Sequence, residues 1–341
     1  MTNRKTKEHL PTTDNSLTTD RIWDMVIAFQ KSRTLLTAYE LELFTALDKE
    51  SKSSAEIAAA LGTEKRATDR LMNALVALEL LTKKENKFSN TPLAQRLLVK
   101  HSPEFMGNLY HSAHLWNTWS TLTQAVYKGT TVMERKINDR GEKWLTAFIA
   151  AMHTRAQKQA PLVVGKLDLS KVTRVLDVGG GSGAYAMAFV KAHPNIDATV
   201  FDLPNVVPLT LRYIEKEELT DKVKTIVGDY TVDSLGKGYD LIFLSAIIHS
   251  NSHEVNRKLI KKCSEALNPD GRVVIQDFIM DEDRTAPLPG TLFALNMLVS
   301  TEAGDTYTQA EIREWMTAAG LTGIKNIDTS FGTSLIYGCL R

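Results

Sequence analysis

RVLDVGGGSGAYAMAFVKAHPNIDATVFDLP, residues 174–204, reads as a strand, a glycine turn, a helix and a second strand. Val175, Leu176 and Val178 form a short apolar run of the kind buried in a parallel sheet, and Gly179, Gly180, Gly181 and Gly183 break it abruptly. Ala184 to Ala192 is built from good helix formers and stops before His193 and Pro194. Ala198 to Phe201 then returns to strand chemistry and ends at Asp202. This is the opening of a nucleotide-type βαβ unit, in which glycines let the backbone approach a ligand and the helix N-terminus offers free amides to a negative group.

Downstream the alternation continues. A helix is expected over Val206–Glu217, a strand over Val223–Val227, a strand over Asp240–Leu244, a helix over His253–Leu267, a turn at NPDG and a strand over Arg272–Asp277. A helix at Gln309–Ala319 precedes two β segments, Ile324–Asp328 and Ser334–Leu340, read as a final antiparallel hairpin. Strands alternating with helices require a mostly parallel, doubly wound α/β sheet with helices on both faces.

Upstream, residues 1–20 are polar and read as a loose tail, and order is expected from Ile22. Ile22, Val26, Phe29, Leu36, Leu41, Phe44 and Leu47 keep helical spacing and are expected to bury one face. SSAEIAAALG is a capped helix ending at Gly62, Thr63 is placed as the cap of the next helix, and a two-strand wing over Leu81–Thr91 turns near Glu85 and Asn86 before Pro92 opens another helix. That is a winged helix-turn-helix. Lys65, Arg66 and Arg70 on the presumed recognition helix are cancelled by Glu64, Asp69 and Glu79, so packing and dimerisation are expected of it instead of DNA reading.

Residues 100–165 look helical and aromatic, and His111 and His114, three apart, read as ordinary histidines because no further metal-ligating side chain is spaced with them. The expected divisions are therefore a tail (1–20), a winged-helix dimerisation domain (21–105), a helical substrate-lining region (106–165) and a ligand-binding catalytic domain (166–341).

With 341 residues, 43% of them apolar, there is ample material for two cores. A formal charge of +1 gives no general attraction to nucleic acid or anionic membrane. Cys263 and Cys339 are far apart and offer no disulfide framework or zinc set, no apolar run reaches membrane-spanning length, and a cytoplasmic location is expected.

Three acids narrow the ligand. Asp177 directly precedes the glycines, where it would repel a pyrophosphate and favour an ammonium group. Asp202, at the next strand end, is placed to accept two ribose hydroxyls, and Asp229 with Tyr230 suits an adenine edge and face. An adenosine joined to an amino acid fits better than a dinucleotide.

LDVGGGSG, FDLP, VGDY, IIH and RVVIQDF, in this order behind a winged helix, resemble the S-adenosylmethionine-dependent small-molecule O-methyltransferases, the group of plant caffeate-type and bacterial polyketide and antibiotic enzymes. The resemblance runs from about Ile22 to Arg341 and implies a class I methyltransferase fold, a homodimer, and S-adenosyl-L-methionine as cofactor with S-adenosyl-L-homocysteine as product. It implies that Gly179, Gly181 and Gly183 line the methionine end, that Asp202 and Leu203 hold ribose and adenine, and that Asp229 and Tyr230 match the adenine-side pair. Ser245 stands where many members carry a lysine or arginine. His249 stands at the place of the general base, followed here by Ser250 and Asn251 where several members have Asp-Trp. Asp277 matches the first of two acids flanking that histidine, and Thr306 occupies the position of the second, usually a glutamate; Glu302 and Asp305 lie nearby.

The chemistry of such a base stands independently. Methyl transfer from a sulfonium is an in-line displacement, governed by positioning and exclusion of water. A phenol, with a pKa of about 10, must lose its proton, and a histidine near 6.5 is neutral at working pH and takes it. A carboxylate on the other ring nitrogen fixes the tautomer. Phe148 and Met152, one helical turn apart, with Leu295 and Met297 are expected to line an apolar acceptor pocket. No Asp/Asn cluster with ligand geometry is evident, so no metal is expected. The alternatives are a member that methylates carbon or nitrogen, one that has lost methyl transfer, and a winged-helix DNA-binding regulator.

Overall fold

The computed structural model describes residues 18–133 and 141–341. Of the expected tail, residues 1–17 lie outside the described residues. The chain divides into two compact units, to Met106 and from Gly107, so the helices expected between 106 and 165 belong to the second.

In the first unit a helix runs over Thr19–Glu40, three residues earlier than Ile22, because Thr18 caps it by accepting from Arg21 N at 3.3 Å. Leu36, Phe44 and Leu47 of the expected stripe are buried, together with Tyr39, but Ile22, Val26 and Phe29 are exposed, as are Trp23, Met25 and Ile27, which corrects the expectation for the first half of the helix. Ser53–Glu56 forms a capping box on helix Ser54–Leu61, which ends at Gly62 in the left-handed region. The next helix, Lys65–Ala77, is capped by Glu64 and not by Thr63: the Glu64 carboxylate accepts from Arg66 N and Ala67 N, while Thr63 Oγ1 bonds Thr68 Oγ1. The wing strands Leu81–Lys84 and Lys87–Asn90 pair antiparallel, with Glu85 and Asn86 both at positive φ, as a two-residue hairpin turn requires. A short third strand, Lys52–Ser53, joins their sheet and was not foreseen.

The second unit is built on seven strands: β1 Arg174–Val178, β2 Asp197–Asp202, β3 Val223–Val227, β4 Tyr239–Ser245, β5 Leu267–Asp277, β6 Leu321–Asp328 and β7 Ser334–Leu340. Their spatial order is β3-β2-β1-β4-β5-β7-β6. The first five are parallel, and β7 runs antiparallel between β5 and β6. This is the expected doubly wound sheet with its terminal hairpin. The NPDG segment is part of β5, where Asp270 takes φ +62° and the pairing with β4 shifts register.

Each face of the sheet carries its own core. Helices Glu142–Val164, Ala184–Ala192 and Val207–Lys216 pack Val163, Phe189 and Ile214 on one side. Helices His253–Ala266 and Gln309–Ala318 pack Leu259, Cys263 and Trp315 on the other. The strand order reverses between β1 and β4, and ligands of open α/β sheets bind beyond the carboxyl ends of the strands at that point.

Candidate active site

The glycine turn leaves β1 at this switch point. Gly179, Gly181 and Gly183 all take positive φ, which L side chains resist. Asp177 lies beneath them: it is fully buried, and a Cβ on Gly180 would fall 2.6 Å from its carboxyl carbon. Its Oδ2 accepts from Ala186 N at 3.2 Å, on the first turn of the helix, and its Oδ1 has no partner among the described residues. Burial, with the charge of Asp202 added, pushes this carboxyl up to about 7. Asp202, at the end of β2, accepts from Gly181 N at 2.8 Å through Oδ2 and from Leu203 N at 2.8 Å through Oδ1, and burial raises its pKa as well.

Two residues that sequence reading missed also hold the turn. Thr210 Oγ1 donates to Gly181 O at 2.6 Å. His153 Nδ1 lies 2.8 Å from Ser182 Oγ while its ring stacks on Tyr213, and burial lowers the His153 pKa. Neither follows a motif spacing, because both reach the turn from other helices.

Asp229, half-buried after β3, accepts from the backbone and hydroxyl of Thr231. The Tyr230 ring comes 4.0 Å from the place a Gly179 Cβ would occupy, and its hydroxyl donates to Asn251 Oδ1 at 3.1 Å. Ile247 covers the same glycine, its Cδ1 2.4 Å from that Cβ position. Ser245, at the end of β4, donates its hydroxyl to Gln276 Oε1 at 3.2 Å and so joins a polar chain continuing to Thr333.

His249 follows two residues after Ile247, in a 3₁₀ turn over Ile248–Ser250. Its Nδ1 faces Asp277 at the end of β5, 2.8 Å from Oδ1 and 3.0 Å from Oδ2. A carboxylate only accepts, so Nδ1 carries a proton, and in the neutral tautomer this leaves Nε2 with the lone pair. Asp277 is 2% exposed and is further fixed by Phe278 N at 2.8 Å. Phe293 sets its edge against the His249 ring at 4.8 Å and packs on Phe278, an aromatic wall foreseen only as part of the TLFALNMLVS segment.

The helix Leu288–Ser300 that bears Phe293 also carries Leu295, half-buried, and Met297, buried, and packs against the His249 turn. Phe148 stacks on Trp144 at 5.0 Å and meets His111 edge-on, while Met152 is half-buried on the same helix. Both helices pack against Leu109–Trp119.

No carboxylate among the described residues replaces the acid expected at 306 within hydrogen-bonding range of His249. Among the described residues, the carboxylate bonded to His249 is that of Asp277. Thr306 is buried, Asp305 turns its carboxylate towards Arg284 while its N–H donates to His249 O at 3.0 Å, and Glu302 is exposed. No group of three or more His, Cys, Asp or Glu side chains that could hold a metal gathers among the described residues, and no described helix is long and apolar enough to cross a membrane.

A glycine turn at a topological switch point, with acids at successive strand ends, is the arrangement of the α/β proteins that bind nucleotide-type cofactors. Comparison with known proteins gives the family. Residues 118–322 match the O-methyltransferase domain and residues 23–100 the O-methyltransferase dimerisation domain. A 3-hydroxy-5-methyl-1-naphthoate 3-O-methyltransferase from Streptomyces sahachiroi is 32% identical over 311 residues, 89% of this chain and 90% of that one. An acetylserotonin O-methyltransferase from Gallus gallus is 33% identical over 87% of this chain and 90% of that one. Human N-acetylserotonin methyltransferase, solved in complex with S-adenosylmethionine, superimposes with a TM-score of 0.83 at 25% identity, covering 96% of this chain and 99% of that one. The chain belongs to the O-methyltransferase family, whose enzymes use S-adenosylmethionine.

The residues present fit that cofactor. The turn keeps its backbone bare at the three positive-φ glycines, and the Asp202 carboxylate stands beside it, accepting from Gly181 N at 2.8 Å.

Proposed function

We propose that this protein methylates a hydroxyl group of a small aromatic or polyketide-like molecule, with His249 as general base and Asp277 as its orienting partner. The carrying observation is the His249–Asp277 pair, at 2.8 and 3.0 Å, beside the glycine turn. When bound, S-adenosylmethionine supplies an electrophilic methyl group.

Gly179, Gly181 and Gly183 line its methionine end, Asp202 and Leu203 its ribose and adenine, and Asp229 with Tyr230 the adenine side. Asp177 supports the turn from below, and Ser245 supports this wall through Gln276. Phe148, Met152, Leu295 and Met297, with Phe293, form an apolar enclosure that excludes water from the acceptor. His249 Nε2 is placed to take the acceptor's hydroxyl proton, the methyl group passing from sulfur to that oxygen and leaving S-adenosylhomocysteine, and Asp277 would stabilise the resulting imidazolium. The exposed residues Trp23, Val26 and Phe29 lie within the matched dimerisation domain, with exposed Ile22 just before it, and support a homodimer formed through it.

Incubation with S-adenosylmethionine and a panel of phenols, read by mass for the gain of one CH₂, tests the reading. His249→Ala is expected to lower turnover by about 10²–10⁴-fold while S-adenosylhomocysteine binding is kept. Normal turnover in that variant would sink the assignment.

A further inference from the structure

Asn251 stands two residues after His249 and is not used by the chemistry above. It is 9% exposed, and a buried amide must have its donors and acceptor matched from within the protein. Its Oδ1 accepts from Tyr230 OH at 3.1 Å, and its Nδ2 donates to Asn256 Oδ1 at 3.0 Å. Asn256, fully buried, donates Nδ2 to the Ile248 carbonyl at 2.8 Å. Tyr307 adds a donated hydrogen bond to the Asn251 carbonyl.

The polarity of this chain is forced from one end. The Ile248 carbonyl only accepts, so Asn256 must present its NH₂ there and its oxygen to Asn251; Asn251 must then present its own oxygen outward, to a donor. Tyr230 is that donor.

The two ends of the chain are the two halves of the site. The Tyr230 ring covers Gly179 on the side read as the cofactor's. The Ile248 carbonyl belongs to the peptide unit whose other end is the His249 N–H, and that N–H points at Asp277 Oδ2, 3.4 Å away. The Ile248–His249 peptide is thereby gripped at its oxygen by Asn256 and at its nitrogen by Asp277, so its orientation sets how the imidazole leaves the main chain.

We propose that Asn251 is a positioning residue that couples the Tyr230 wall of the cofactor site to the Ile248–His249 peptide, so that filling the one side tightens the orientation of the base on the other. This rests on the reading of Tyr230 as cofactor wall and His249 as base. A chain that merely filled a polar gap would contribute stability and carry no such coupling.

Hydrogen–deuterium exchange of the full-length protein, with and without S-adenosylhomocysteine, separates the two. In the wild type the product is expected to slow exchange both in the glycine turn, 179–183, and in the 247–251 segment. Asn251→Leu is expected to keep the protection of the turn and lose that of 247–251. Tyr230→Phe, which removes a single hydroxyl and is the milder change should Asn251→Leu not fold, is expected to do the same. In turnover each single variant is expected to lower kcat by about tenfold with KM for S-adenosylmethionine little changed, and the double variant to lose no more than either, since residues in one network are not additive. Undiminished protection of 247–251 in Tyr230→Phe, or effects that multiply in the double variant, overturns the coupling while leaving the methyltransferase reading in place. No protection of the turn in the wild type would overturn both.

Discussion

Replacing Asp177 by asparagine tests how the glycine turn is supported, through the pH dependence of stability. An ordinary aspartate titrates at 3.8, and in the folded protein burial holds this one up to about 7. Below 3.8 the carboxyl is protonated in both states and its ionisation does not affect folding. Above 3.8 the unfolded chain releases the proton and the folded chain keeps it, so stability falls as pH rises and levels off beyond about 7. The whole interval corresponds to roughly 4 kcal/mol, of which about 2 kcal/mol falls between about pH 5.5 and pH 8. Asp177→Asn keeps an oxygen for Ala186 N and cannot ionise. Thermal unfolding of the two proteins without ligand, followed by circular dichroism, is therefore expected to show the variant gaining on the wild type by about 4–8 °C between those pH values. Asp202, whose carboxyl is raised by burial too, tilts both curves the same way, so the difference isolates Asp177. Melting curves that stay parallel across the range would refute the account of a carboxyl stored neutral beneath the turn.

Asp277→Asn leaves His249 without its carboxylate at 2.8 Å and lets the ring take the wrong tautomer; kcat is expected to fall by about 10²–10⁴-fold with KM for the cofactor little changed, read by steady-state kinetics. Gly180→Ala places a methyl 2.6 Å from the buried Asp177 carboxyl and 3.0 Å from Val200, and denaturant titration should show a loss of about 1–3 kcal/mol. Among the described residues Gly181→Ala meets only Ile149, at 3.7 Å, so its cost is that of the left-handed backbone, about 1–2 kcal/mol. Trp23→Asp puts a charge in the exposed stripe of the first helix, and sedimentation is expected to show the protein shifted towards monomer with the second unit still folded.

Most of the α/β unit was legible because parallel strands announce themselves as short apolar runs closed by glycine or acid. The His249–Asp277 pair was legible through the resemblance, and the sheet gives its physical reason: β4 and β5 are neighbours, so His249 after the one meets Asp277 at the end of the other. What the chain's order did not reveal is set by side-chain parity and by partners from remote helices. Leu176 and Val178 enter one core and Val175 the other, so Asp177 shares the parity of Val175 and points under the Ala184–Ala192 helix. Thr210 and His153 have no recognisable spacing to the turn, since each is delivered by tertiary packing, and Asn251, although two residues from the base, meets Tyr230 only through the fold. Thr63 and Glu64 are both competent caps, and the Thr63–Thr68 hydroxyl contact decided between them. The apolar spacing of Ile22 to Phe29 reported a face correctly but could not say whether this chain would cover it.

The place of β7 in the sheet has a consequence for how the protein is made. Synthesised after β6, it must enter between β5 and β6, whose separation is two strand spacings, about 9.5 Å. Until residues 334–340 have left the ribosome, both flanking strands expose unpaired edges, and Leu335 and Ile336, each wholly buried in the finished sheet, are missing from the two cores. The second unit therefore cannot complete its sheet or either core until its last strand is in place, and chains truncated before Ser334 are expected to expose both flanking strand edges.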